Sequence, residues 1–222
     1  MKHNLNVKSV DYLTHDVLRI VLEKPGNLEY QPGQAVDFAI NKDGWQNEIR
    51  PFTFTSLPED EDIEFTIKTY PAHKGVTNEL LNLKKGDRIL LDEVFGTILY
   101  KGEGMFIAGG AGVTPFIAIL KNLEKKNELG NNKLLFANKS KQDIILKEHF
   151  EKMLGKNFIN VLSDDDLAEY EHGFITADII KKYSDSTTKY YYICGPEPMM
   201  DAMEKNLESL GVDKEAIVKE AF

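Results

Sequence analysis

Residues 50–56 read Arg50-Pro51-Phe52-Thr53-Phe54-Thr55-Ser56, which places one guanidinium, two phenyl rings and three hydroxyls in seven positions. On an extended strand, Arg50, Phe52, Phe54 and Ser56 point one way, and Pro51, Thr53 and Thr55 point the other. A guanidinium suits a phosphate, an aromatic ring suits a flat heterocycle, and hydroxyls suit ring nitrogens and carbonyls. One short strand therefore carries the groups to grip a molecule that is phosphate at one end and aromatic at the other. The same seven residues also suit an ordinary barrel strand, and by themselves they leave both readings open.

The surroundings of this stretch read as strands and turns. Apolar runs at 5–12 and 17–22 precede a break at Pro25-Gly26. Pro32-Gly33-Gln34 leads into 35–40, where Val36, Phe38 and Ile40 alternate with Asp37, and Asp43-Gly44 marks a turn. Residues 63–69 alternate with a period of two, and 88–91 follow the Gly86-Asp87 turn. Five or six short strands at this spacing predict a small antiparallel β-barrel. One helix interrupts them at about 76–83, entered through Lys74-Gly75-Val76-Thr77. Unpaired N–H groups at a helix start can hold a diphosphate, although a plain N-cap gives the same pattern.

After Lys101-Gly102-Glu103-Gly104 the pattern changes. A short apolar run at 105–108 meets Gly109-Gly110-Ala111-Gly112, and Thr114 as cap with Pro115 at the first helical position opens a helix with Phe116, Ile119, Leu120 and Leu123 on one face. Strand-like runs at 133–137, 158–162 and 190–194 alternate with helical stretches at 143–154, 176–183 and 197–210. That alternation predicts a doubly wound parallel sheet covered on both faces. The expected domains are residues 1–100 and 105–222.

Composition narrows the function classes. Apolar and charged fractions of 42% and 28% fit a folded, water-soluble chain. A net charge of −9 disfavours nucleic acid and anionic membranes as partners. No apolar run approaches the ~20 residues of a membrane span. The start, Met1-Lys2-His3-Asn4-Leu5-Asn6, lacks an apolar signal core, so the expected compartment is the cytoplasm. Cys194 is the single cysteine, too few for an internal disulfide or an iron–sulfur cluster. The five histidines show no metal-ligand spacing and are expected at the surface, and no metal is expected.

Three motifs together carry a resemblance. Arg50-Pro51-Phe52-Thr53 resembles the Arg-x-Tyr-Ser/Thr flavin motif of the ferredoxin–NADP reductase superfamily, in its cytochrome b5 reductase form, with Phe52 where tyrosine is usual. A phenyl ring can still stack on a flavin, but the phenol hydrogen bond is lost. Gly109-Gly110-Ala111-Gly112-Val113-Thr114-Pro115 is similar to the superfamily's nicotinamide-nucleotide loop, and Cys194-Gly195-Pro196-Glu197-Pro198-Met199 to its signature beside the nicotinamide. Lys74-Gly75-Val76-Thr77 resembles its pyrophosphate element. The likeness spans essentially the whole chain.

What the resemblance implies is a flavin-binding barrel followed by a nicotinamide-nucleotide domain, with the active site between them. The implied reaction is hydride transfer from NAD(P)H to bound FAD, with electrons passed to a separate carrier such as ferredoxin or flavodoxin. Arg50 and Ser56 would contact FAD phosphates, Phe52 would stack on the ring, and Thr53 would hydrogen-bond the nitrogen that accepts hydride. Gly75, Val76 and Thr77 would hold the pyrophosphate, and Lys68 belongs to the same cofactor-binding set. Gly110, Gly112 and Thr114 would hold the dinucleotide phosphates. Cys194, Gly195, Pro196 and Met199 would lie beside the nicotinamide. Lys139 and Lys141 lean the reading toward NADPH. Glu220 would serve as a proton donor, and Phe222 would cover the exposed flavin face. Two other readings stay open, a free-flavin reductase and a non-catalytic electron-transfer subunit.

Overall fold

A computed structural model describes residues 2–220 and arranges them around two six-stranded sheets. The first comprises β1 (His3–Thr14), β2 (Val17–Glu23), β3 (Ala35–Ile40), β4 (Arg50–Thr53), β5 (Asp62–Lys68) and β6 (Arg88–Phe95), in the order β4-β3-β6-β1-β2-β5. All its pairs are antiparallel. A backbone bridge between Phe54 and Phe65 brings the two edges together and closes the sheet into a barrel. The alternating residues do this work: Leu18, Ile20 and Leu22 on β2 and Ile63, Phe65 and Ile67 on β5 all turn inward. In the centre Tyr30 stacks on Phe54 at 4.0 Å between ring centroids, with Phe65 a further 5.2 Å from Phe54 and Phe38 edge-on to Phe65 at 5.4 Å.

Two local expectations are corrected here. Strand β4 ends at Thr53 rather than running to Ser56, because the chain turns into the barrel to make the Phe54 bridge. Phe54, Thr55 and Ser56 are consecutively buried, at 0%, 0% and 4% exposure, so simple alternation stops at Thr53. The helix expected at 76–83 is one turn, α1 (Val76–Glu79), followed by a 3₁₀ turn over Leu80–Asn82. Val76 and Leu80 anchor this segment in the barrel core.

The second sheet is parallel, in the order β10-β9-β8-β7-β11-β12. Its strands are β7 (Gly104–Gly109), β8 (Lys133–Asn138), β9 (Phe158–Leu162), β10 (Glu171–His172), β11 (Tyr190–Cys194) and β12 (Ile217–Val218). Helices α2 (Thr114–Lys125) and α3 (Lys147–Leu154) cover one face, where Phe116, Leu120 and Phe150 meet Phe106 and Phe136. Helices α4 (Ala177–Tyr183) and α5 (Glu197–Ser209) cover the other, where Ile180, Met203 and Leu207 meet Ile107, Leu135 and Ile193. Helix α3 starts four residues later than the spacing predicts, because Leu146 takes a left-handed φ of 52°. The chain runs outward from β7 to β10 and returns to the other side of β7 as β11. The junction of β7 and β11 is thus the topological switch point, where an open α/β sheet leaves a crevice at its carboxyl ends.

The barrel and the parallel sheet are packed together. Val17 and Ile98 share a core cluster with α2 residues. A Cβ on Gly33, which has φ +101°, would stand 2.0 Å from Ile98 O and 3.0 Å from Ile119 Cδ1. Among the described residues no helix is long and apolar enough to cross a membrane.

The packing around Phe54 makes a direct expectation. Phe54→Ala should cost about 3–5 kcal/mol, the range for deleting a fully buried ring. Urea unfolding should show the loss as a lower midpoint at unchanged slope.

Candidate active site at the seam of the two sheets

On the barrel side, the outward end of β4 carries the expected flavin residues. Arg50 is exposed and loosely held, with Nη1 2.6 Å from Ile49 O and Nη2 3.4 Å from Glu48 Oε2. Phe52 is half-buried and meets Phe38 edge-on at 5.0 Å, which leaves part of its ring outward. Thr53 is half-buried, and its hydroxyl has no hydrogen-bond partner among the described residues. Thr77 offers a second unpartnered hydroxyl, whereas Val76 is buried and presents only its backbone. Gly75 is extended and its side opens onto free space, but its N–H is donated to His73 O at 2.8 Å and its carbonyl accepts the Asn78 and Glu79 N–H groups, each at 3.1 Å.

Two barrel residues do not fit the roles expected of them. Ser56 lies inside, where its hydroxyl meets Tyr30 Oη at 2.9 Å and accepts the Glu64 N–H at 2.9 Å. A phosphate contact from Ser56 would require opening the barrel core. Lys68 is engaged by Asp16, Nζ to Oδ2 at 2.6 Å. Burial opposes ionisation of Asp16, and the Lys68 ammonium outweighs it, holding that carboxyl below its usual range. His15 Nε2 stands 3.7 Å from both Asp16 and Asp143, and these three offer ligand atoms within 4.8 Å of one another. Lys68 already supplies the cation there. The histidines are not uniformly exposed either. His149 on α3 is half-buried, and burial lowers its pKa.

On the other side, two glycine-rich loops meet at the carboxyl ends of β7 and β11. A Cβ on Gly112 would lie 2.2 Å from Cys194 O, and one on Gly109 would lie 2.3 Å from Met199 Sδ. The two loops therefore touch backbone to backbone, and only glycine permits it. Gly195 is confined the same way by Met199 Sδ at 2.9 Å. Met199 is thus a plug between the loops, with its N–H donated to Pro196 O at 2.9 Å, rather than a group presented to a ligand. Gly110 differs: its φ is +50° and its open side meets nothing within 4 Å. Thr114 is corrected too. It begins α2 instead of capping it, and both its N–H and its hydroxyl are donated to Ala111 O. With both Thr114 donors taken, the phosphate contacts expected of this turn fall to its backbone.

The sides converge through the chain end. Glu220 returns to the barrel, where Oε1 accepts the Thr97 N–H at 2.9 Å, and Thr97 Oγ1 donates to Lys219 O at 3.0 Å. A Cβ on Gly96 would lie 3.0 Å from Glu220 Oε1 and 3.4 Å from Ala35 N. Ala35 is in turn the register partner of Thr53. Burial pushes the Cys194 thiol up to about 12, with the Glu220 carboxylate a second cause. Cys194 thus feels the Glu220 carboxylate, and Glu220 is linked through Gly96 and Ala35 to the strand pair that ends in Thr53. Phe222 lies outside the described residues.

At the carboxyl end of β8, the two lysines part ways. Lys141 Nζ pairs with Glu169 at 3.2 Å over the Tyr170 ring, and its N–H is held by Asp165 at 2.7 Å. Lys139 keeps an exposed side chain with no partner, while its carbonyl accepts the Asp164 N–H at 2.8 Å. The acidic run at 163–166 braces the lysine loop. Asn138 adds a buried Nδ2 with no partner beside it. Surface pockets of about 580 and 410 Å³ lie elsewhere, the first taking in Lys141 and the second running along Lys84, Gly86 and Arg88.

Lys139→Ala should raise the apparent KM for NADPH and leave that for NADH unchanged, while Lys141→Ala should move neither; steady-state titration with both cofactors checks this. The thiol also has a pH signature. With its folded pKa about 12 and an unfolded value of about 8.5, the unfolded state loses its proton first. Stability from this group is therefore full below about pH 8 and falls as pH rises toward 12. Iodoacetamide should accordingly alkylate native Cys194 at pH 8 far more slowly than the urea-unfolded chain.

Comparison with known proteins agrees with this geometry. Residues 2–129 match the FAD-binding domain family, and residues 106–205 match the oxidoreductase NAD-binding domain family. The chain is 30% identical over 235 residues to NADH-cytochrome b5 reductase 1 of Aspergillus terreus, covering 95% of this chain and 78% of that protein. It is 26% identical over 227 residues to the ferredoxin–NAD(P)+ reductase component of the naphthalene 1,2-dioxygenase system of Pseudomonas putida, covering 97% and 67%. In fold it superposes on the FAD/NAD-binding domain of nitric oxide dioxygenase from Vibrio cholerae with a TM-score of 0.86 at 24% identity, over 99% and 98% of the two chains. The chain belongs to the ferredoxin–NADP reductase superfamily, as an NAD(P)H-dependent flavoprotein reductase with an FAD-binding barrel and an NAD-binding α/β sheet.

Proposed function

We propose that the protein takes hydride from NAD(P)H at the seam between the two sheets and delivers electrons to a separate small redox carrier. The observation that supports this most is that Glu220, on the returning chain end, bonds to Thr97 beside the β3–β4 pair while its charge is felt by Cys194. In this reading residues 1–100 hold FAD and residues 105–222 hold the nicotinamide nucleotide. When bound, FAD supplies the two-electron acceptor that can hand electrons onward. The chain's residues bind and orient. The Arg50 guanidinium is free enough to turn to a phosphate, and Phe52 offers its ring face. Thr53 can donate its unpartnered hydroxyl to the ring nitrogen that receives hydride. Val76 and Thr77 offer backbone donors and one hydroxyl to the pyrophosphate, and Gly75 leaves room for it to approach.

On the nicotinamide side, Gly110 and Gly112 bring backbone close to the dinucleotide phosphates. Cys194, with Gly195 and Pro196, forms a neutral wall beside the ring. A thiol held protonated does not oppose the negative charge that moves with hydride. Glu220 stands where it can pass a proton to the reduced acceptor.

An iron–sulfur carrier would have its cluster outside these 222 residues, because one cysteine cannot ligate one. Relatives are named for cytochrome b5 and for ferredoxin, so a small one-electron protein of that class, ferredoxin or flavodoxin included, is the proposed acceptor. A second reading, reduction of free flavin as a substrate, is favoured by one feature: Phe52 lacks the hydroxyl a tyrosine would place against the flavin. The spectrum of purified protein separates them. Yellow protein bleached by NAD(P)H supports bound FAD, and colourless protein active only with added flavin supports the second reading. Colourless, inactive protein would sink both.

Arg50→Ala should weaken FAD retention by about 1.5–3 kcal/mol, the loss of one charge-assisted contact. Flavin content after dialysis reads this directly, and an unchanged content would remove Arg50 from the phosphate site.

A further inference from the structure

Helix α2 touches both halves of the seam. It starts where the Gly110–Val113 turn ends, and two turns later Lys121 reaches across to the barrel. Lys121 Nζ donates to Thr55 O at 2.9 Å and lies 3.5 Å from Glu64 Oε1. Glu64 receives Arg19 Nε at 2.6 Å on its other oxygen. The Thr55 hydroxyl meets Glu64 O and Thr66 Oγ1, each at 3.2 Å. Lys121 and Glu64 keep only 25% and 14% side-chain exposure, against 53% and 46% for the neighbouring Lys125–Glu59 pair. The first contact is withdrawn from water and aimed at a backbone carbonyl, whereas the second is an ordinary surface pair.

The carbonyl it holds is informative. Thr55 is two residues beyond Thr53, in the segment that turns inward to close the barrel. Ile119, on the same helix, packs against the Gly33 turn. A helix is a stiff spacer rising about 1.5 Å per residue, so the seven residues from Thr114 to Lys121 span about 10 Å. One rigid element is therefore fixed to the nicotinamide-side glycine turn at its start and to the flavin strand at Lys121. We propose that Lys121 is a positioning residue for hydride transfer: its bond to Thr55 O sets the separation between the Thr53 end of the flavin strand and the glycine loops. Small displacements of reacting groups carry large rate penalties, about a hundred-fold for 1 Å.

This role rests on hydride crossing the seam, and the test keeps the two ideas apart. Flavin reduction in FAD-loaded protein is followed by stopped flow at saturating NADH or NADPH, whichever the parent uses. A parent that neither cofactor reduces would strike the reaction itself. Given a reducible parent, Lys121→Met should be reduced about ten-fold more slowly or worse, with flavin content and dinucleotide affinity held within about two-fold. In the flavin-free protein, hydrogen exchange at residues 54–57 should quicken in the variant, which reports the freed strand without any turnover. A variant reduced as fast as the parent overturns the positioning role, whatever its exchange or thermal stability. If the methionine variant fails to fold, Lys121→Gln, which keeps a donor but is too short for the same span, is judged by the same rates.

Discussion

The backbone bridge between Phe54 and Phe65 determines more of this protein than any other single contact. It joins the two edges of the first sheet, and an unpaired edge there would leave a row of open N–H and C=O groups. It also ends the strand that carries the flavin motif. Once Phe54 is committed to the core against Tyr30 and Phe65, Thr55 and Ser56 follow it inside. Thr53 becomes the last residue of the motif that faces out, with its hydroxyl unpartnered. The same turn presents Thr55 O to the parallel sheet's first helix. Closing the barrel, exposing Thr53 and docking the second sheet are thus consequences of one bend.

The parallel sheet meets this bend with a different constraint. Its ligand crevice is built from two loops whose backbones touch, Gly112 against the Cys194 carbonyl and Gly109 against Met199. No side chain larger than hydrogen fits at Gly112, where the neighbour is backbone, and one at Gly109 would have to displace the Met199 side chain. The Met199 sulfur fills the remaining gap, which suits a flexible, polarizable side chain.

Much of this was legible in the sequence, and the limits were physical. Period-two and helical patterns located the strands closely, because burial on one face leaves a regular signature in residues such as Leu18, Ile20 and Leu22. The glycine loops were legible as close-approach sites. Ser56 was not, because alternation is a property of straight strands and gives no warning of a bend. The ion pairs of Lys68 and Lys141 were hidden for another reason: a lysine's availability depends on which carboxylate the fold brings near, and Asp16 and Glu169 are 52 and 28 residues away. Thr114 looked like a cap, yet a 3₁₀ turn ahead of it took both of its donors. Lys121 carried no motif at all. Only its burial against Thr55 and Glu64 distinguishes it from the many surface lysines.

The electrostatics of the seam follow from the same geometry. Hydride transfer moves two electrons and one proton as a unit, so negative charge builds on the acceptor side. A thiolate next to that path would oppose it. Two influences keep Cys194 protonated, and their order matters: burial is the larger, and the Glu220 carboxylate is the second. Loss of Glu220 would therefore leave the thiol neutral at physiological pH, since its greater cause persists. The carboxylate is itself steadied by the Thr97 N–H, a neutral donor, so its charge is oriented without being cancelled. In the proposed reaction the pair divides the labour: the thiol supplies shape beside the ring, and the Glu220 carboxylate relays the proton.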